Sequence, residues 1–250
     1  MIQLQEVTKY YGDTKALDGI SLHIKKGCIF GFLGPNGAGK TTLIRILTGI
    51  CPPTSGQVLI NGLDILKEPE KCKRITGYVP DRPFVYEKLR GFEFVDFILE
   101  LYEVKNEKTL QKAHDLFELF EISDAKYRMI ENYSHGMKQK LVIICSLLPE
   151  PELIVIDEPM VGLDPGGALN LKKLLRKMVT EENKTVFLST HTMSVAEEIC
   201  DQIAILNHGK IAAIGTMQEF RQKTTADATL ENIFLTLTRE QAPGEVPTAT

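Results

Sequence analysis

The chain has 250 residues, 43% of them hydrophobic, enough for one large core or a core with an inserted subdomain. A formal net charge of -4, with no run of five or six like charges, offers no basic face for nucleic acid. Five scattered cysteines, Cys28, Cys51, Cys72, Cys145 and Cys200, form no C-x-x-C pair and argue against a disulfide framework or a zinc site.

The N-terminal stretch IQLQEV alternates like a strand and lacks the charged-then-apolar order of a secretory signal, so the expectation is a chain that begins as structure in the cytoplasm. SLHI, closed by Lys-Lys-Gly, and the apolar CIFGFL follow as strands, then a glycine-rich loop, a helix at LIRIL and a strand at QVLING. The loop is GPNGAGKTT, which fits G-x-x-x-x-G-K-[ST] between a strand and a helix, the context that motif requires. Gly34, Gly37 and Gly39 let the backbone of the run Gly34, Pro35, Asn36, Gly37, Ala38, Gly39 wrap phosphates with its N–H groups. Lys40 is the candidate for the β and γ oxygens and the Thr41 hydroxyl for Mg²⁺, with Thr42 beside it. The loop GYVPDRPF then leads into a different kind of sequence.

Phe94, Phe97, Ile98 and Leu101 recur at helical spacing, as do Leu110, Ala113, Phe117 and Phe120. Residues 83–148 are expected to form a helical insert. Near its end, NYSHGMKQ precedes the apolar LVIICSLL, and the serine and glycine predict a capped helix start whose N–H groups suit an anion. The longest apolar runs, CIFGFL and LVIICSLL, fall short of the roughly 18 to 20 residues that a bilayer span needs.

After Pro149 strands and helices alternate: LIVID, the helix GGALNLKKLLRKMV, TVFLST, a short helix from Met193, and IAIL and KIAAIG joined at His-Gly. The pattern predicts an α/β fold with a largely parallel sheet and ligands at the carboxyl ends of its strands. LIVIDEP places two acids at the end of a strand buried on both faces, which is costly unless they meet a cation or a reaction. Asp157 is therefore expected at Mg²⁺ and Glu158 at the attacking water. His191, just past TVFLST, is expected to reach the γ-phosphate and the water from the same sheet edge. TLENIFLTLT brings Leu230, Ile233, Phe234 and Leu237 to one helical face before a frayed end.

In this order the motifs resemble those of the ATP-binding-cassette ATPases over essentially the whole chain. The resemblance implies a P-loop NTPase, RecA-like, with a mostly parallel sheet core, an N-terminal antiparallel β part and an inserted α-helical subdomain. Its divisions would be 1–82, the first part of the core with the Walker A loop; 83–148, the helical subdomain with the signature; 149–222, the second part of the core with Walker B, D-loop and switch histidine; and 223–250, a C-terminal helix and tail. It implies ATP and Mg²⁺ as ligands. Tyr11 stands at the aromatic that stacks on adenine, with Tyr10 adjacent, and Gly162-Leu163-Asp164 forms the D-loop. NYSHGMKQ occupies the place of the signature, so Ser134 and Gly136, with Asp164, would serve ATP held by a second cassette subunit packed head to tail, identical or not.

Two positions depart from the family pattern. His135 replaces a signature glycine and would be strained at positive φ. Asp81 stands where a glutamine ligand is usual; it is expected beside the nucleotide but outside the metal's coordination shell, acting through a water or as a loop hydrogen-bond acceptor with Arg82 as the candidate donor. The resemblance also implies a separate transmembrane permease, no nucleic-acid partner, and a peripheral place on the inner face of the cell membrane. The TLENIF ending favours export over import. The alternative is a soluble cassette protein that works on ribosomes or nucleic acid, whose members usually have two cassettes or a long coiled coil. A GTPase is disfavoured because NKTV at Asn183 carries Val186 where guanine recognition needs an aspartate.

Overall fold

The computed structural model describes residues 1–223 and Phe234. Two sheets carry the chain. β1 (Ile2–Tyr11) and β2 (Thr14–Ile24) are antiparallel, and β1 also pairs with β4 (Ser55–Ile60), which pairs with β5 (Leu63–Asp64), giving the order β2-β1-β4-β5. Between them in sequence lie β3 (Ile29–Leu33) and α1 (Lys40–Leu47).

The second sheet is built around β3. α2 (Pro69–Arg74) leads to β6 (Thr76–Val79), and helices α3 (Gly91–Leu101), α4 (Glu107–Leu119) and α5 (His135–Leu147) intervene before β7 (Leu153–Asp157). α6 (Pro165–Glu182), β8 (Thr185–Thr190), α7 (Met193–Ile199), the hairpin β9 (Gln202–Asn207) and β10 (Lys210–Gly215), and α8 (Met217–Lys223) complete it. The strand order is β10-β9-β3-β8-β7-β6, parallel throughout except for β10. The β9–β10 turn, His208-Gly209, has φ of 45° and 74°, as a two-residue hairpin demands.

β3, β7 and β8 are buried along their whole length because both faces are covered. Leu153, Val155, Phe30, Phe32 and Phe187 join α1 and the antiparallel sheet in one core; Ile154, Ile156, Ile29, Val186 and Leu188 join α3 to α6 in the other. The period-2 alternation thus divides each continuous apolar run between two cores. The expected α/β class, parallel core, antiparallel N-terminal part and helical insert are all observed.

Three readings of the sequence change. TGYV, read as part of a loop, is the edge strand β6: it is short and followed by Pro80, so it carries no alternation signal. α2 and β5, of six and two residues, are also short and carry no periodic signal in the sequence. Phe97 and Leu101 have helical spacing on α3 but are 39% and 61% exposed, so they do not belong to the insert's own core. Of the C-terminal stripe, Leu230, Ile233 and Leu237 lie outside the described residues, and Phe234 packs against the cluster of Leu33, Ala196, Ile203, Ile205 and Phe220.

Candidate functional site

Parallel strands deliver their carboxyl ends to one edge, and there a cleft of about 320 Å³ opens. Asn36, Gly37, Gly39, Lys40, Thr41 and Thr42 line one wall, Asp157, Glu158 and Asp81 another, and Thr14, Lys15 and Ala16 a third. Gly39 enters α1 at φ 111°, and a Cβ there would lie 2.5 Å from the Ala16 carbonyl oxygen, so both the turn and the close approach of β2 require glycine. No acidic residue stands in the first turn of α1, whose first residues Lys40, Thr41 and Thr42 line the cleft.

Lys40 Nζ donates to the carbonyls of Gly34 at 2.7 Å and Pro35 at 3.1 Å. Burial pushes its pKa down, while Glu158 and Asp157 pull it up. Gly34, Pro35 and Ala38 do not line the cleft; they build the turn, with the Ala38 amide donating to the Pro35 carbonyl. Asp157 is 2% exposed, and burial raises its carboxyl pKa against the hydroxyl of Ser189, which donates to Oδ1. Thr41 Oγ1 donates to Asp157 Oδ2 at 3.3 Å.

This donor set suits a hard divalent cation: a buried carboxylate whose ionisation is penalised, next to a hydroxyl oxygen. Among the described residues no group of three or more His, Cys, Asp or Glu could hold a metal, so phosphate and water oxygens would have to complete the shell.

Glu158 sits at φ 51°, a left-handed conformation rare for a non-glycine residue, with its amide on the Ser189 carbonyl at 3.0 Å. Its carboxylate is held at both oxygens. Oε1 meets His191 Nδ1 at 2.7 Å and the His191 amide at 3.1 Å, and Oε2 accepts from the Thr190 hydroxyl at 3.2 Å. His191 therefore reaches the site through Glu158, although it does not line the cleft. Asp81 does line it, beside Asp157, and among the described residues its carboxylate makes no direct contact with Arg82, the candidate donor.

Tyr11 lies at the margin, with the Thr42 hydroxyl near it and Cys51 Sγ 3.7 Å from its Oη. Ser134, Gly136 and Asp164 are not in the cleft. Ser134 caps α5, its Oγ accepting from the Met137 amide at 3.2 Å, and the first turn of α5 has no acidic residue. His135 opens the helix and is not among the residues with positive φ, so the feared strain is absent. A Cβ on Gly136 would lie 2.6 Å from the Gly162 carbonyl oxygen, and Lys140 pairs with Asp164 at 2.8 Å, so this end of α5 packs on the Gly162–Asp164 segment.

Sequence reasoning missed Ser189, Thr190 and Lys15. Ser189 had a signal: it is a polar residue near the end of an otherwise apolar strand, and register sets it opposite Asp157.

A family model described as ABC transporter matches residues 17–161. The chain is 33% identical over 226 residues to the daunorubicin resistance ATP-binding protein DrrA3 of Streptomyces coeruleorubidus, covering 90% of this chain and 71% of the relative. It is 33% identical over 248 residues to the ABC-type transporter ATP-binding protein EcsA of Bacillus subtilis strain 168, covering 98% and 99%. Among solved structures, an ATP-binding subunit of an ABC transporter superposes with a TM-score of 0.90 at 29% identity, over 95% of this chain and 99% of that one. A dimeric ATP-binding cassette in a post-hydrolysis state, bound to ADP and Pi, superposes with a TM-score of 0.79 at 27% identity, over 87% and 99%.

Proposed function

The chain belongs to the ATP-binding-cassette transporter family as an ATP-binding, ATP-hydrolysing subunit, and from that premise we propose that it powers a separate export permease through two composite ATP sites shared between two cassettes. The observation that carries this reading is the distance in kind between its two anion-accepting helix ends. α1 opens into the cleft, whereas α5, capped by Ser134 and free of acids in its first turn, presents an exposed end outside it. An exposed N-terminus can receive a phosphate that its own cleft does not hold, and on this reading a second cassette is the source.

In the cleft, Lys40 exchanges the Gly34 and Pro35 carbonyls for β- and γ-phosphate oxygens, and the glycine-rich loop fixes them with backbone amides. Asp157 and the Thr41 hydroxyl hold Mg²⁺, which when bound neutralises charge on the phosphates. Glu158 takes the proton of the attacking water, and Thr190 and His191 fix which way its carboxylate points. Catalysis is then mostly positioning and charge stabilisation. Tyr11 carries the adenine.

The permease reading is supported by a second cavity, of about 390 Å³, between α1's end, β6, α3 and α5. Phe84, 79% exposed, and Ile98 line it beside Pro80, the residue before Asp81. It joins the 83–148 helical segment to the core, where a partner helix would feel the loop that borders the nucleotide. Export follows the drug-resistance relatives. No helix among the described residues is long and apolar enough to cross a membrane; on this reading a separate permease supplies the span.

The sharing of sites is tested by mixing two inactive variants, Lys40→Ala and Ser134→Arg. Each homodimer has both sites broken, but a mixed dimer regains one intact site, so an equal mixture should recover up to about a quarter of wild-type hydrolysis. No recovery despite demonstrated subunit exchange would show that Ser134 does not act on the other chain's ATP.

A further inference from the structure

Lys9 and Tyr11 are two residues apart on β1 and so project from the same face of the strand. Lys9 Nζ stands 5.2 Å from the centroid of the Tyr11 ring, within cation–π range. The same ammonium donates to the Pro52 carbonyl at 2.8 Å, which fixes it relative to the end of α1. The hydroxyl end of the ring is met by Cys51 Sγ at 3.7 Å. One face and the tip of Tyr11 are therefore engaged, and the ring as a whole remains 45% exposed.

A cation over one face draws the π cloud toward it and leaves the opposite face less electron-rich, which favours stacking with an electron-rich purine. Tyr10, which projects from the other side of β1, is a different case: Lys15 lies 5.4 Å from its ring but is paired with Asp18 at 3.0 Å.

We propose that Lys9 is a positioning and specificity residue for the nucleobase, holding and polarising Tyr11 so that adenine stacks on its uncovered face. This rests on the reading of Tyr11 as the adenine platform. Lys9 touches no reacting atom, so its effect belongs to nucleotide affinity and not to turnover at saturation.

The test compares ATP with inorganic tripolyphosphate, which fills the phosphate loop but has no base. Affinities for both are measured by calorimetry in the wild-type chain, Lys9→Met, Lys9→Arg, Tyr11→Leu and the Lys9→Met/Tyr11→Leu double variant. Lys9→Met is expected to weaken ATP binding about two- to fivefold, the range of an exposed cation–π contact, and to leave tripolyphosphate unchanged. Lys9→Arg restores ATP affinity, and in the Tyr11→Leu background Lys9→Met has no further effect. Equal weakening for both ligands would make Lys9 a general attractant for phosphate, or a fold element if the melting temperature also drops, and overturns the inference. So does any loss on adding Lys9→Met to Tyr11→Leu. Weakened ATP binding in Tyr11→Leu with none in Lys9→Met overturns the Lys9 proposal alone, whereas unchanged ATP binding in Tyr11→Leu overturns the platform itself.

Discussion

The N-termini of α1 and α5 both lack an acidic residue in the first turn, but only at α1 do a lysine and paired acids share one cleft. At α1 the amides, the Lys40 ammonium, the buried Asp157 carboxylate and the oriented Glu158 carboxylate share one cleft. At α5 a hydroxyl cap and a close-packed glycine hold the backbone, and the adjacent charges are already paired, Lys138 with Glu87 at 2.5 Å and Lys140 with Asp164 at 2.8 Å. At the first end the charged groups are desolvated or held by hydrogen bonds around the cleft. At the second, charge is spent on fixing position. On the proposed reading, binding and chemistry sit at α1, while α5 supplies geometry that would matter when a second cassette brings its ATP.

The strongest challenge to this division is Glu158→Gln, which removes the base and keeps the shape and one hydrogen-bond acceptor. Hydrolysis measured by phosphate release should fall by about 10² to 10⁴ while ATP still binds. The variant should then accumulate as an ATP-bound dimer on size-exclusion chromatography. Retained turnover would move the chemistry out of the α1 cleft.

A smaller effect should mark the border of the cleft. Asp81 lines it yet has no partner there, so Asp81→Asn should lower basal hydrolysis less than tenfold, roughly 1.4 kcal/mol in barrier, while weakening stimulation of hydrolysis by the permease. A loss as large as that of Glu158→Gln would place Asp81 among the groups that act on the reaction.

The smallest expected change is in stability. Burial raises the Asp157 carboxyl pKa, so its ionised form opposes folding above that pKa, and the penalty is relieved as pH falls through it. Asp157→Asn should raise the melting temperature at pH 7 by about 2 to 4 °C. The gain should shrink toward acid pH, where the wild-type carboxyl is protonated in both states. A lowered melting temperature at pH 7 would show that the Ser189 hydrogen bond to the carboxylate outweighs its burial.

Much of the cleft was legible because its chemistry is local. GPNGAGKTT names its own backbone shape, and two acids after LIVI cannot be explained as ordinary core. Ser189 stood out only as a polar residue near the end of an apolar strand and Thr190 not at all, since their roles come from the β7–β8 register and the left-handed turn at Glu158. Phe97 and Leu101 illustrate the opposite limit: helical period assigned them correctly to a helix but could not say which neighbour that face would have.

The sequence by itself determined the α/β class, the phosphate loop, the paired acids and the capped start of α5, because each depends on residues within a few positions of one another. Only the tertiary structure decided that β6 closes the sheet edge, that Ser189 and His191 grip two neighbouring acids, that Gly136 meets Gly162 backbone to backbone, and that Lys9 bridges Tyr11 and Pro52. These contacts join residues far apart in the chain. Their geometry is set by strand register and close packing, for which no local pattern is a substitute.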